Sequence, residues 1–252
     1  MTVSIIKGLI MDTVRYANSG HTGGPMSSSD YAYILYKEFL NFDPNDPDWF
    51  NRDRFILSAG HESALQYVLL TMIGWLELDD LKKFRQLHSK TPGHPEIEMD
   101  GVECTTGPLG QGFGMSTGMA LAESFLNNTL KSIDEEASSL VDHFTYVIAS
   151  DGDMQEPITF GSASLSGHLG LSNLIVFYDS NEVQISGGVS RSDSTDYGAV
   201  FTGFGWHVQK INGHDHDSIR IAITKAQKSN QPSLIIGETI MAKGSDGMEG
   251  DY

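Results

Sequence analysis

The 252-residue sequence has a single cysteine, Cys104, so no disulfide can form within the chain and nothing points to an oxidising compartment. With no activating neighbour in sight, Cys104 reads as a small packed residue. No hydrophobic run approaches the ~20 residues of a membrane span. The opening stretch MTVSIIKGLIMDTV lacks the long apolar core and small-residue cleavage site of a signal peptide. Basic residues are scarce: 16 Lys and Arg stand against 33 Asp and Glu, a formal charge of −17. That balance disfavours nucleic acid and anionic membranes as partners, because both demand a basic patch. A soluble cytoplasmic protein is the expectation. Any anionic ligand would need local help from a cation, backbone amides or histidines.

What is present suits a folded domain. Apolar residues make up 39% and charged residues only 19%, a composition that supports a sizeable core. There is no repeat and no low-complexity stretch, and residues 1–252 are read as one domain. Ile6, Leu9, Ile10, Val14 and Ala17 follow helical spacing, and Asn18-Ser19-Gly20 stops that helix. The serines at 27–29 are placed to cap a second helix whose Ala32, Leu35, Tyr36 and Phe39 share a face. Beyond Pro44 and Pro47, short apolar runs alternate with helices. Arg54–Ser58, Phe144–Ala149 and Leu174–Tyr178 read as buried strands, and Gly205–Val208 and Ser233–Gly237 as two more. Alternation of this kind predicts an α/β fold, a parallel sheet with helices on both faces. Ligands of such sheets sit beyond the carboxyl ends of the strands. Asn127–Asp142 reads as a polar surface excursion.

Three features fall at those strand ends. Asp151 follows one strand and Asn181 the next, a partial oxygen shell for Mg²⁺ or Ca²⁺ that phosphate oxygens and water would complete. The alternative is a helix cap at Asp151 and a turn at Asn181. Thr105-Thr-Gly-Pro-Leu-Gly-Gln-Gly-Phe-Gly114 runs into a helix over Met115–Leu126, with Met115, Met119, Ala122 and Leu126 on one side. Glycines there let amides approach an anion, although a tight turn explains them equally. His21, His61 and His94 lie in glycine- or proline-rich turns, suited to hydroxyl recognition and proton transfer. The other six histidines read as structural or surface groups.

These blocks together resemble the N-terminal half of transketolase. The likeness runs from Ser19-Gly-His-Thr-Gly-Gly-Pro-Met26 through Arg52–His61, Phe84–Pro95 and Thr106–Gly112. It continues through Asp151-Gly-Asp-Met-Gln-Glu156, Leu174–Asn181 and Gly205–Val208. The resemblance implies thiamine diphosphate and a divalent cation, Mg²⁺ or Ca²⁺. It implies that Asp151, Asn181 and the Val183 carbonyl hold the cation, and that Ser19, His61, Gly152 and Glu156 belong to the cofactor site. Gly107 and Leu109 would meet the aminopyrimidine side through backbone groups. His21, His61 and His94 would hydrogen-bond ketose hydroxyls and shuttle protons, with Glu156 in the catalytic set.

The implied reaction uses the cofactor as an electron sink: the bond beside a ketose phosphate carbonyl breaks and a two-carbon ketol unit passes to an aldose phosphate. The glutamate that activates the cofactor and the arginines that grip sugar phosphate belong to a pyrimidine-binding domain or subunit outside these residues. A homo- or hetero-oligomer is therefore expected, and the chain alone is expected to be inactive. A dihydroxyacetone synthase relative and a non-catalytic cofactor-binding module are the alternatives. Three departures stand out: Ser150 and Pro157 replace usual glycines, and Gly161 replaces a usual glutamate.

Overall fold

A computed structural model describes residues 1–185 and 187–250. The chain begins with α1 (Thr2–Ala17), α2 (Gly23–Ser27) and α3 (Ser29–Ile34), which widens into a π-helical turn over Leu35–Phe39. Strand β1 (Arg54–Leu57) leads into α4 (Ser63–Ile73), α5 (Leu78–Leu81) and the long α6 (Gln111–Ile133). Then come β2 (Thr145–Ser150), α7 (Asp151–Met154), α8 (Pro157–Leu169) and β3 (Leu174–Ser180). A small antiparallel pair, β4 (Val183–Gln184) and β5 (Gly187–Gly188), precedes α9 (Tyr197–Gly203). The chain closes with β6 (His207–Asn212), α10 (His216–Ala226) and β7 (Ser233–Glu238).

The main sheet runs β1-β2-β3-β7-β6 and every pairing in it is parallel. The strand repeat of two explains its two cores. Phe55, Leu57, Tyr146, Ile148, Ile175 and Phe177 point to one face, where α1, α3, α4 and α10 cover them. Tyr31 of α3 stacks on Phe177 with ring centroids 4.0 Å apart. The alternate residues, among them Ile56, Val147, Ala149, Val176 and Tyr178, pack against Phe113 of α6, Ala163 of α8 and Phe201 of α9. Among the described residues no helix is long and apolar enough to cross a membrane.

The first helix ends as expected, at Asn18 in a left-handed conformation (φ 49°). Three details differ from the sequence reading. The serine cluster joins two short helices instead of opening one, and Ser28, at the start of α3, makes no capping bond. Helix α6 starts at Gln111 and runs to Ile133, so only the second half of Asn127–Asp142 is a non-α excursion. Its buried stripe is Phe113, Ser116, Thr117, Ala120 and Glu123, rotated from the methionine-bearing side. The reason is neighbouring packing: α8 lies on α6 closely enough that Thr117 and Ser166 hydroxyls meet at 3.1 Å. Small side chains such as Thr117 face α8, while Met115 and Met119 stay half-buried against the core.

Two of the remaining histidines take the structural role assigned to them. His214 Nδ1 (3.0 Å) and His216 Nε2 (2.8 Å) both meet the Asp30 carboxylate, which Lys7 also contacts at 3.0 Å. Burial opposes the Asp30 charge, but these contacts outweigh it and hold its pKa at about 2. Cys104 is buried, and burial pushes its thiol up to about 11.

Glu123 is a buried carboxyl in the α6 stripe, accepting from Asn173 Nδ2 at 2.5 Å. Burial, with the Asp142 charge, raises its pKa to about 7 from 4.5. A raised carboxyl pKa means no penalty below pH ~4.5, growing loss of stability as pH rises to ~7, and the full loss above it. Glu123→Gln keeps an acceptor for Asn173 and removes the charge. Denaturant unfolding should therefore show the variant more stable by about 1–3 kcal/mol at pH 8.5 and equal to the parent at pH ~3.5.

Candidate functional site

Each predicted residue follows the carboxyl end of a strand or lies in a segment packed there. After β1, Ser58-Ala59-Gly60-His61 makes a tight turn whose glycine is pressed against the backbone at Gly107: a Cβ at Gly60 would lie 2.6 Å from Gly107 N. Gly107 itself has φ 144° and stands against the His94 ring, 3.1 Å from where its Cβ would be. On the other side of His61, the His21 ring lies edge-on with centroids 5.2 Å apart. Three histidines far apart in sequence thus converge around one turn. Arg85, also at positive φ (60°), donates to the Ser19 hydroxyl at 2.9 Å.

All three histidines are held neutral at physiological pH. Burial, then the neighbouring His21, drives His61 down to about 4. Burial, then the Arg85 guanidinium, lowers both His21 and His94. Neutral imidazoles donate at one nitrogen and accept at the other, which suits a ligand rich in hydroxyls.

Beyond β2, Ser150 opens α7 with a capping box: its side chain accepts from Asp153 N while its own N–H donates to Asp153 Oδ2 (2.9 Å), an oxygen its hydroxyl also reaches (2.7 Å). Ser150 has an ordinary extended backbone, φ −101°, so serine is accommodated in place of the usual glycine without strain. The other Asp153 oxygen accepts from the Ser58 hydroxyl (2.6 Å) and Gly110 N (2.8 Å), and Ser58 Oγ accepts from Phe113 N (3.0 Å). The first amides of α6 are therefore satisfied by protein groups, and the turn explanation of the glycine run holds for Gly110 and Phe113. Leu109 lies over Gly152, its Cδ1 2.7 Å from where a Cβ would sit.

Asp151 Oδ1 accepts from Tyr178 OH at 2.5 Å, and Oδ2 from Glu182 N at 3.1 Å. The carboxylate is thereby brought against the turn carrying Asn181 and Val183. Asn181 Nδ2 donates to Asp179 (2.7 Å) while its Oδ1 accepts from Val183 N (3.0 Å), which fixes the amide orientation. Burial, with the Asp179 charge adding to it, raises Asp151 to about 6 against the hydrogen bond from Tyr178. A carboxyl so placed lacks a countercharge, and a divalent cation supplies one. Among the described residues no group of three or more His, Cys, Asp or Glu could hold a metal. The donors expected at this turn are all oxygens: the Asp151 carboxylate, the Asn181 amide and the Val183 carbonyl. They fit a hard cation that shares its shell with a ligand's phosphates.

Glu156 caps the start of α8 without a side-chain hydrogen bond to any of the histidines, and Pro157 occupies the first helical position, where its missing N–H costs nothing. Gly161 sits mid-helix with open space around it. Sequence reasoning missed Ser58, Arg85, Asp153 and Asp179 as site-building residues. Only the Ser150-x-x-Asp153 spacing carried a local signal, that of a capping box.

A family described as "Transketolase, thiamine diphosphate binding domain" matches residues 1–252. The chain belongs to that family. A transketolase of Staphylococcus epidermidis is 49% identical over 99% of this chain and 38% of its own length. A "Transketolase 2" of Vibrio parahaemolyticus is 47% identical over 98% of the chain and 37% of its own. Among solved structures, transketolase from Campylobacter jejuni superposes with a TM-score of 0.93 at 44% identity, covering 98% of this chain and 38% of that one. Transketolase from Leishmania mexicana gives 0.95 at 41%, covering 98% and 37%. The chain thus spans well under half the length of these relatives. The α/β fold expected from the sequence is that of transketolase structures. Family membership likewise carries the expected cofactor, thiamine diphosphate with a divalent cation.

Proposed function

We propose that residues 1–252 act as one domain supplying the diphosphate-and-cation side of a ketol-transfer site. The observation that carries this reading is the convergence of His21, His61 and His94 around Gly107, beside the Asp151–Asn181 turn. Asp151, Asn181 and the Val183 carbonyl would ligate the cation. Gly152 and His61 would face the diphosphate, Gly107 and Leu109 the aminopyrimidine side, and Ser19 and Glu156 the cofactor's surroundings. Bound thiamine diphosphate supplies an electron sink for breaking the bond beside a ketose carbonyl. The neutral histidines bind the hydroxyls of ketose and aldose phosphates and hold the proton that moves as the hydroxyl becomes a carbonyl.

The activating glutamate and phosphate-gripping arginines are assigned to a pyrimidine-binding domain or subunit. Exposed apolar side chains on α6 and α8 support pairing with it: Phe125 is 67% exposed and Ile158 49%. Gly161, with no neighbour at its Cβ, faces no partner within this domain. The test is calorimetric titration with thiamine diphosphate and Mg²⁺, followed by a ketose phosphate and aldose phosphate assay with and without a pyrimidine-binding counterpart. Weak binding and no transfer alone, with both rescued by the counterpart, is the expected result. Full ketol transfer by residues 1–252 alone would refute it.

A further inference from the structure

We propose that Glu62 is a positioning residue: its carboxyl group is the spacer that sets the His61 turn against the segment bearing His21, and so fixes the His21–His61 ring pair. Glu62 is fully buried, with no well-formed hydrogen bond to either oxygen. Its end lies flat on Gly24, where a Cβ would stand 2.7 Å from Oε1, 3.1 Å from Cδ and 3.2 Å from Cγ. Gly24 follows His21 by three residues, Glu62 follows His61 directly, and the two rings meet at 5.2 Å. The buried Ser28 hydroxyl lies beside this carboxyl without a well-formed bond, and it opposes the rise of the Glu62 pKa.

Burial pushes this carboxyl well above the usual range, and the Asp179 and Asp153 charges push the same way. Packed flat on Gly24, the group acts by shape. A buried polar group without a well-formed bond is costly in a core, and here it stands between the two histidine-bearing segments. The effect on cofactor binding rests on the function proposed above; the effect on the rings does not.

The parent chain, Glu62→Gln, Glu62→Ala, Gly24→Ala and the double variant Gly24→Ala/Glu62→Ala are compared by histidine-ring NMR and by calorimetry with thiamine diphosphate and Mg²⁺. Glu62→Gln should keep the His21–His61 ring cross-peaks and a Kd within about twofold, whereas each alanine variant should lose the cross-peaks and bind at least ~10-fold more weakly. In the double variant the new methyl enters space the carboxyl has left, so cross-peaks and most of the affinity return. Parent-like cross-peaks in both alanine variants would overturn the proposal. So would a Glu62→Gln protein that loses them, since charge and not shape would then matter. Should Glu62→Ala fail to fold, Glu62→Gln and Gly24→Ala decide by the same criteria. If even the parent takes up no thiamine diphosphate with its pyrimidine-binding counterpart present while the cross-peaks change as stated, the functional reading fails and the positioning role stands.

Discussion

Asp151→Asn is expected to weaken Mg²⁺-dependent thiamine diphosphate binding at least about 100-fold while leaving the fold intact. The loss follows from the donor set. Asp151 is the only carboxylate among the three proposed ligands, and an amide oxygen in its place leaves a divalent cation with no anionic protein partner. The fold survives because both hydrogen bonds can be kept. The new amide oxygen can accept from Glu182 N, and its NH₂ can donate to the Tyr178 oxygen, since a hydroxyl serves either way.

Stability should even rise at pH 7. Asp151 is raised from 3.8 to about 6, so its cost is absent below the lower value, develops between the two and is complete above the upper one. Replacing it relieves at most about 3 kcal/mol at neutral pH and nothing at pH 3.5. Denaturant curves and calorimetry on the same sample separate the two effects. A variant that still bound the cofactor in a Mg²⁺-dependent way would remove Asp151 from the metal site.

Much of this architecture was legible along the chain. Runs such as Leu174–Tyr178 are apolar on both faces of the sheet, so they read as strands without any tertiary information, and the turns after them located the site. What stayed hidden depends on contacts between distant segments. The half-buried position of Met115 and Met119 is set by α8 lying on α6, which the periodicity of α6 alone does not contain. Asp153 ties the ends of β1 and β2 to the start of α6 through Ser58 and Gly110, partners 95 and 43 residues away. Glu62 carried no signal of its own, because nothing in Gly60-His-Glu-Ser63 announces that its carboxyl is buried against Gly24. The family blocks flagged the histidines individually; only the fold shows that Gly60 and Gly107 are what let them meet.

That last contact carries the second large effect. Gly60→Ala should cost about 1–3 kcal/mol of stability. It should also lower cofactor affinity by about 100-fold, because site geometry tolerates little displacement. The added methyl would stand 2.6 Å from Gly107 N, 2.7 Å from Thr106 Oγ1 and 3.0 Å from Gly107 Cα. Two of these atoms are backbone, so no side-chain rotation relieves the clash. Either the β1–α4 turn or the 106–107 loop must move, and the ring of His94 rests on Gly107. Displacement therefore reaches two of the three histidines at once. Gly118→Ala is the matched control: it lies within α6 with nothing within 4 Å of its Cβ. There the same substitution should stabilise by about 0.5–1 kcal/mol through helix propensity and leave binding unchanged. If Gly60→Ala matched Gly118→Ala in both thermal unfolding and calorimetry, close approach at Gly107 would not be what assembles the histidines.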